Sequence, residues 1–248
     1  MSIDEKTVTS LSEYMSVIKD ISTTRQVLWF RGHASSDYKL APSIYRAPYV
    51  AAREQEFMNL FKSKGVKFFP DKAGYYEWLF LMQHYGTPTR LLDWSENAFV
   101  AIAFATQYRN EEHSAKDAVV WCLDPFKINE IARVATSPTE KIINICENDS
   151  VAEFYKTGGG GSPIAILGSY NSERIIAQKG VFTLFPMTTS FNMEDLTNAS
   201  EYLIKIIIPA RNVENIANEL YFIGINELSL FPEPESISKE IKRYNSIK

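Results

Sequence analysis

Leu28-Trp29-Phe30-Arg31-Gly32-His33, written LWFRGH, sets an arginine directly after the apolar run 27–30 and directly before a glycine. The run reads as a short buried strand, and a guanidinium at its end is costly unless a partner or a ligand meets it. Arg31 is therefore either paired for structural reasons or available to an anion. The rest of the chain has to decide between the two.

Working outward, residues 10–21 have helical spacing, with Leu11, Tyr14, Met15 and Ile18 on one face. Downstream, YKLAPSIYR reads as an irregular connection into a long helix over 51–64. A further helix over 78–85 breaks at Gly86-Thr87-Pro88, and a very apolar helix follows over 95–108. Arg90 and Asp93, three apart, are expected to pair on one helical turn. AVVWCLDP is a strand ended by Pro125, followed by helix-like spacing over 125–134. TGGGGS at 157–162 has the composition of a flexible linker, natural or engineered. Beyond it, PIAIL, GVFTLFP and EYLIKIIIP are strands, 210–221 is an amphipathic helix, and GINELSLFPEP closes the core. Helices mixed with a first strand, then clustered strands, predict an α+β fold with a mixed, mainly antiparallel β core and flanking helices.

With 248 residues, 45% hydrophobic and 13% aromatic, the chain can bury a full core, and one domain over 1–248 is expected. The formal net charge of -4 argues against a generally basic surface, although a net count hides a local basic groove. Of the two cysteines, Cys122 lies in an apolar strand-like run and Cys146 in a helix-like one. That pattern provides neither a disulfide framework nor a zinc site and fits a cytoplasmic setting. The first twenty residues lack signal-peptide character, and no apolar run approaches the ~20 residues that span a bilayer, so no membrane partner is expected.

Four polar islands interrupt the apolar pattern: Arg31, the stretch 84–93, the stretch 178–183, and Glu227. If they converge, a cleft holds a guanidinium, an imidazole, a phenol, an amide, a hydroxyl and a carboxylate. Arg31 would grip a phosphate through its planar fork. Glu227 would act as a base or clamp a sugar hydroxyl; the alternative is a plain ion pair or a turn cap. His84, beside Tyr85, is either a proton-transfer residue or a structural hydrogen-bonding group. His-x-x-x-His and Cys-x-x-Cys spacings are absent, as are phosphate-loop, Rossmann and nucleophile-elbow motifs, so no metal is expected.

The series WFRGH, YKLAPSIYR, LMQHYGTPTRLLDWSENAFVAIAFA, RIIAQKGVFTLFP and GINELSLFPE, spanning about 27–233, resembles the FRG domain family, named for its Phe-Arg-Gly motif. Its motif order looks like that of ADP-ribosyltransferase folds, in which a first-strand Arg or His, a middle-strand hydroxyl and a late Glu surround NAD. The resemblance implies that Arg31 holds NAD phosphates or ribose, Thr183 supports the nicotinamide-side ribose, and Glu227 stabilises the ribosyl cation. Gly32, Gln178 and Phe182 complete the NAD-binding set, and His84 and Tyr85 carry part of a family-specific catalytic site. It further implies an intracellular bacterial toxin or anti-phage effector with NAD as substrate, a nucleic-acid or protein acceptor, and an antitoxin or other regulatory protein. GINEL lacks the Glu-x-Glu or Gln-x-Glu pair of many protein-modifying transferases, which speaks against an arginine side chain as acceptor and leaves nucleic acid or another residue type open. The competing expectation is a non-enzymatic nucleotide- or partner-binding module. A nuclease-like toxin is disfavoured by the missing acidic metal cluster.

Overall fold

The computed structural model describes residues 2–46, 53–70, 74–134, 141–168, 172–187 and 190–244. Its strands are β1 (Asp4–Thr7), β2 (Trp29–His33), β3 (Leu91–Ser95), β4 (Ala118–Leu123), β5 (Ile143–Asn144), β6 (Ile164–Leu167), β7 (Gly180–Leu184) and β8 (Leu203–Ile208). They form one eight-stranded sheet in the order β1-β8-β4-β2-β3-β7-β6-β5. β1 with β8 and β5 with β6 run parallel. The other neighbours are antiparallel, as the pattern predicts.

The helices are α1 (Leu11–Ser22), α2 (Glu54–Gly65), α3 (Tyr75–His84), α4 (Ala98–Thr106), α5 (Pro125–Ala132), α6 (Asp149–Lys156), α7 (Glu173–Gln178), α8 (Ala199–Tyr202), α9 (Ala210–Phe222), α10 (Glu227–Leu230) and α11 (Pro234–Tyr244). Their starts follow local chemistry. The Ser10 hydroxyl accepts from the Glu13 N–H ahead of α1, and Asp124 accepts from two N–H groups ahead of α5, whose first residue is Pro125. None of the described helices is long and apolar enough to cross a membrane.

Alternation along the strands divides the core. On one face, Phe30, Val120, Cys122, Ile204 and Ile206 pack with α1, α4 and α9. Farther along, Leu91, Ile164, Ile166, Phe182 and Leu184 pack with α2, α3 and α6. On the opposite face, Trp29, Leu92, Trp94, Val119, Trp121 and Val181 form a third cluster. The first two clusters meet where β2 adjoins β3.

Several expectations change. Leu91–Ser95 is a strand, and the apolar helix begins only at Ala98, capped by the Asn97 side chain. Arg90 and Asp93 therefore do not share a helical turn: Arg90 Nε lies 3.0 Å from Glu54 Oε2, while Asp93 faces Arg31. Cys146 sits in a turn rather than a helix. The TGGGGS stretch is a turn closed on α6: the Tyr155 hydroxyl donates to the Ser162 carbonyl at 2.8 Å, and Gly158 and Gly160 take φ of 89° and 83°. The GINEL stretch leads into α10, where Asn226 is the cap and accepts from the Ser229 N–H.

Candidate functional site

β2 pairs with β4 along its whole length, but with β3 only through Phe30 opposite Ser95. Past that pair the strands part, and the Arg31 guanidinium enters the gap. Nη1 donates to the Asp93 carbonyl at 2.6 Å and lies 3.9 Å from Asp93 Oδ2. Nε donates to His33 Nε2 at 3.1 Å. Nη2 has no hydrogen bond among the described residues, which leaves one edge of the fork open to an anion. Burial pulls the Arg31 pKa down, Asp93 opposes that, and the positive charge of Arg46 adds to it.

His33 fixes this arrangement from behind. Burial, then the charges of Arg31 and Arg46, push its imidazole down to about 3. The ring is therefore neutral near pH 7, and because Nε2 accepts from Arg31 the proton is assigned to Nδ1. Asp93 is held on its other side by the Gln83 carboxamide, which donates to Oδ2 at 2.6 Å.

Gly32 answers a packing demand. A Cβ there would stand 1.9 Å from the Ala101 carbonyl oxygen and 2.7 Å from the Ala105 nitrogen, so α4 can lie against β2 only over a glycine. That close approach accounts for the glycine beside Arg31 without a bound cofactor.

Two cavities meet here. The first, about 290 Å³, has Phe30, Phe80, Phe104 and Phe182 in its walls and His84, Asp93, Arg174 and Gln178 as its polar groups. The second, about 590 Å³, is lined by His33, Tyr38, Lys39, Tyr45 and Arg46. Arg31, Gly32 and Phe104 belong to both. Arg174 stacks over the Phe231 ring at 4.5 Å. Burial, then the charge of Arg174, lowers the pKa of His84, with Glu233 opposing, so its imidazole is a free base near pH 7. Gln178 ties the wall together: its carbonyl accepts from the Ser95 hydroxyl, and its side chain donates to the Leu230 carbonyl.

The structure thus brings Arg31, Gly32, His84, Gln178 and Phe182 into one cleft. Three other sequence candidates fall outside both cavities. Thr183 is fully buried, and its hydroxyl accepts from the Trp94 indole at 3.0 Å on the sheet face opposite Phe182. Tyr85 is 59% exposed and packs its ring against Phe69. Glu227, the first residue of α10, pairs with Lys239 at 2.5 Å. Asp93 is the carboxylate the cleft does contain, and sequence reasoning assigned it to a structural pair. Gln83, His33, Arg46 and Arg174 were also missed. The described residues contain no cluster of metal-ligating side chains.

No curated protein matches the chain, and no solved structure does. The resemblance read over about 27–233 holds for a narrower part: residues 26–114, which supply Arg31, Gly32, His84 and Asp93, match the FRG domain family.

Proposed function

We propose that the joined cavities bind NAD and that the protein is an ADP-ribosyltransferase. One observation carries this reading: Arg31 stands where two cavities meet and keeps one edge of its fork open. A dinucleotide has that form, two ring-bearing halves joined by a diphosphate, and a buried arginine fork suits the diphosphate. Arg46, in the second cavity, adds positive charge.

In the reaction, the glycosidic C–N bond breaks and its electron pair leaves with neutral nicotinamide. The positive charge left on the ribosyl carbon is stabilised by the Asp93 carboxylate. The acceptor's nucleophile then bonds to that carbon, and its proton passes to the neutral His84 imidazole. Of the three residues in the transferase motif order only Arg31 stands in the cleft, so the transferase class rests on Arg31 and Asp93, and with it a role as an intracellular toxin or anti-phage effector under a protein regulator.

One observation favours a second reading, a module that holds the nucleotide without turnover. Asp93 already faces Arg31 and accepts from Gln83, so its charge is partly spent before any ligand arrives. Label transfer from NAD to protein, RNA and DNA separates the two. The transferase reading predicts a labelled product, reduced about 100-fold in Asp93→Asn. NAD binding without product in any acceptor class selects the binding module, and absence of both overturns the two readings together.

A further inference from the structure

We propose that the surface formed by residues 62–69 and Tyr85 docks a single-stranded nucleic acid and leads it to the cleft as the ADP-ribosyl acceptor. The delivery step rests on the transferase reading; the docking does not.

The stretch KSKGVKFF, residues 62–69, concentrates positive charge in a chain whose net charge is -4. It contains Lys62, Lys64 and Lys67 and no acidic residue. None of the three is ion-paired among the described residues. Lys62 lies over the Trp78 ring at 6.0 Å and Lys67 over the Phe68 ring at 5.0 Å. Large rings lie open beside these charges: Phe68 is 66% exposed and Tyr85 59%.

These rings form a connected row. Phe68 and Phe69 have centroids 6.5 Å apart, Phe69 and Tyr85 5.6 Å, and Tyr85 and His84 4.8 Å. His84 lines the first cavity, so the row ends at the cleft. Exposed rings interleaved with lysines that no described residue pairs suit a flexible polyanion whose bases offer flat faces, because stacking serves any base and the cations follow the backbone. A duplex keeps its bases stacked on one another and cannot use the rings. An acidic peptide would satisfy the lysines but would leave Phe68 and Tyr85 without flat partners.

At the end of the row, an amine or hydroxyl of the nucleic acid replaces nicotinamide on the ribosyl carbon and gives its proton to His84.

The test is fluorescence anisotropy of labelled single-stranded RNA and DNA oligonucleotides without NAD, against matched duplexes and anionic phospholipid vesicles. The wild type is compared with Phe68→Ala/Tyr85→Ala and Lys64→Gln/Lys67→Gln, each checked for unchanged circular dichroism. Docking predicts preference for the single strand and a loss of at least about thirtyfold in the aromatic variant, which removes two stacking rings. In the lysine variant the slope of log affinity against log salt flattens by about 1.4, about 0.7 for each phosphate that a lysine no longer neutralises. Equal binding by all three proteins, or preference for duplex or vesicles, overturns the proposal. NAD titrated in parallel separates the two ideas. An oligonucleotide bound without NAD supports docking and removes the transfer if NAD itself does not bind; NAD bound without any oligonucleotide overturns docking alone.

Discussion

Arg31 and Arg90 are two guanidiniums beside the same strand, β3, and they end in opposite situations. Arg90 is closed by protein. Nη1 donates to the Tyr155 carbonyl at 2.6 Å, Nη2 reaches the Tyr75 hydroxyl at 3.4 Å, and Nε lies 3.0 Å from Glu54 Oε2, with both charged side chains 1% exposed. The Tyr75 hydroxyl in turn donates to Glu54, and the Arg90 N–H donates to the other Glu54 oxygen. Burial opposes the Arg90 charge, but Glu54, then Tyr75 and Tyr76, raise its pKa. Arg31 has a neutral imidazole, one carbonyl and a carboxylate at 3.9 Å, its side chain is 19% exposed, and its pKa is lowered. The contrast teaches where chemistry can reside: a buried charge completed by its own chain is structural, and one left incomplete beside a cavity is available to a ligand.

The largest effect lies on the closed side. Arg90→Met strands the Glu54 carboxylate in the core and should cost about 3–5 kcal/mol in denaturant unfolding. A loss below about 1 kcal/mol would erase the distinction between the two arginines. Next comes Gly32→Ala, which forces backbone movement between β2 and α4 and should cost about 3 kcal/mol.

His33 supplies a pH-dependent test on the open side. Its folded pKa, about 3, lies below the ordinary histidine value, so the unfolded chain takes up the proton first as pH falls. Its stabilising contribution is therefore complete above about pH 6.5 and is lost toward pH 3, with a slope of up to about 1.4 kcal/mol per pH unit. His33→Gln should remove that slope from the wild-type stability profile, and parallel profiles would show that the ring is not held neutral. Glu227→Gln should have the smallest effect. It loses a pair whose Lys239 side is largely exposed, so stability should change by less than about 1 kcal/mol, and NAD-dependent labelling should persist. Abolished labelling in the folded variant would restore Glu227 to the catalytic set.

Much of this frame could be read in the residues. AVVWCL and LIKIII are apolar enough to fix central strands, and Ser10 and Pro125 mark helix starts through capping chemistry. β1 escaped because DEKT is polar and exposed throughout, and only pairing with β8 makes it a strand. β3 escaped because five residues containing Asp93 lie between a proline turn and an apolar helix.

That single miss also displaced the site. In a helix, residues three apart are neighbours; here Arg90 lies in the turn ahead of β3 and reaches Glu54, Tyr75 and Tyr155 in the core, whereas Asp93 lies within the strand and faces Arg31 at the cleft. The partner of Arg90, Glu54, is 36 positions away, a separation no local pattern signals. Arg31, His84 and Gln178 were legible because polar groups stood out within apolar runs, whereas Phe182 came only with the family resemblance. Glu227 stood out in the same way, but only the packing of α11 reveals that Lys239 meets it.

The most direct test is calorimetric titration of NAD into the wild type and into Arg31→Lys, which keeps the charge and loses the fork. The wild type should bind, and the variant should bind about 10- to 100-fold more weakly with nearly unchanged unfolding, as for loss of a charge-assisted hydrogen bond. Equal affinity in the two proteins, or no binding by the wild type, would contradict the assignment of Arg31 as the open arginine that holds NAD.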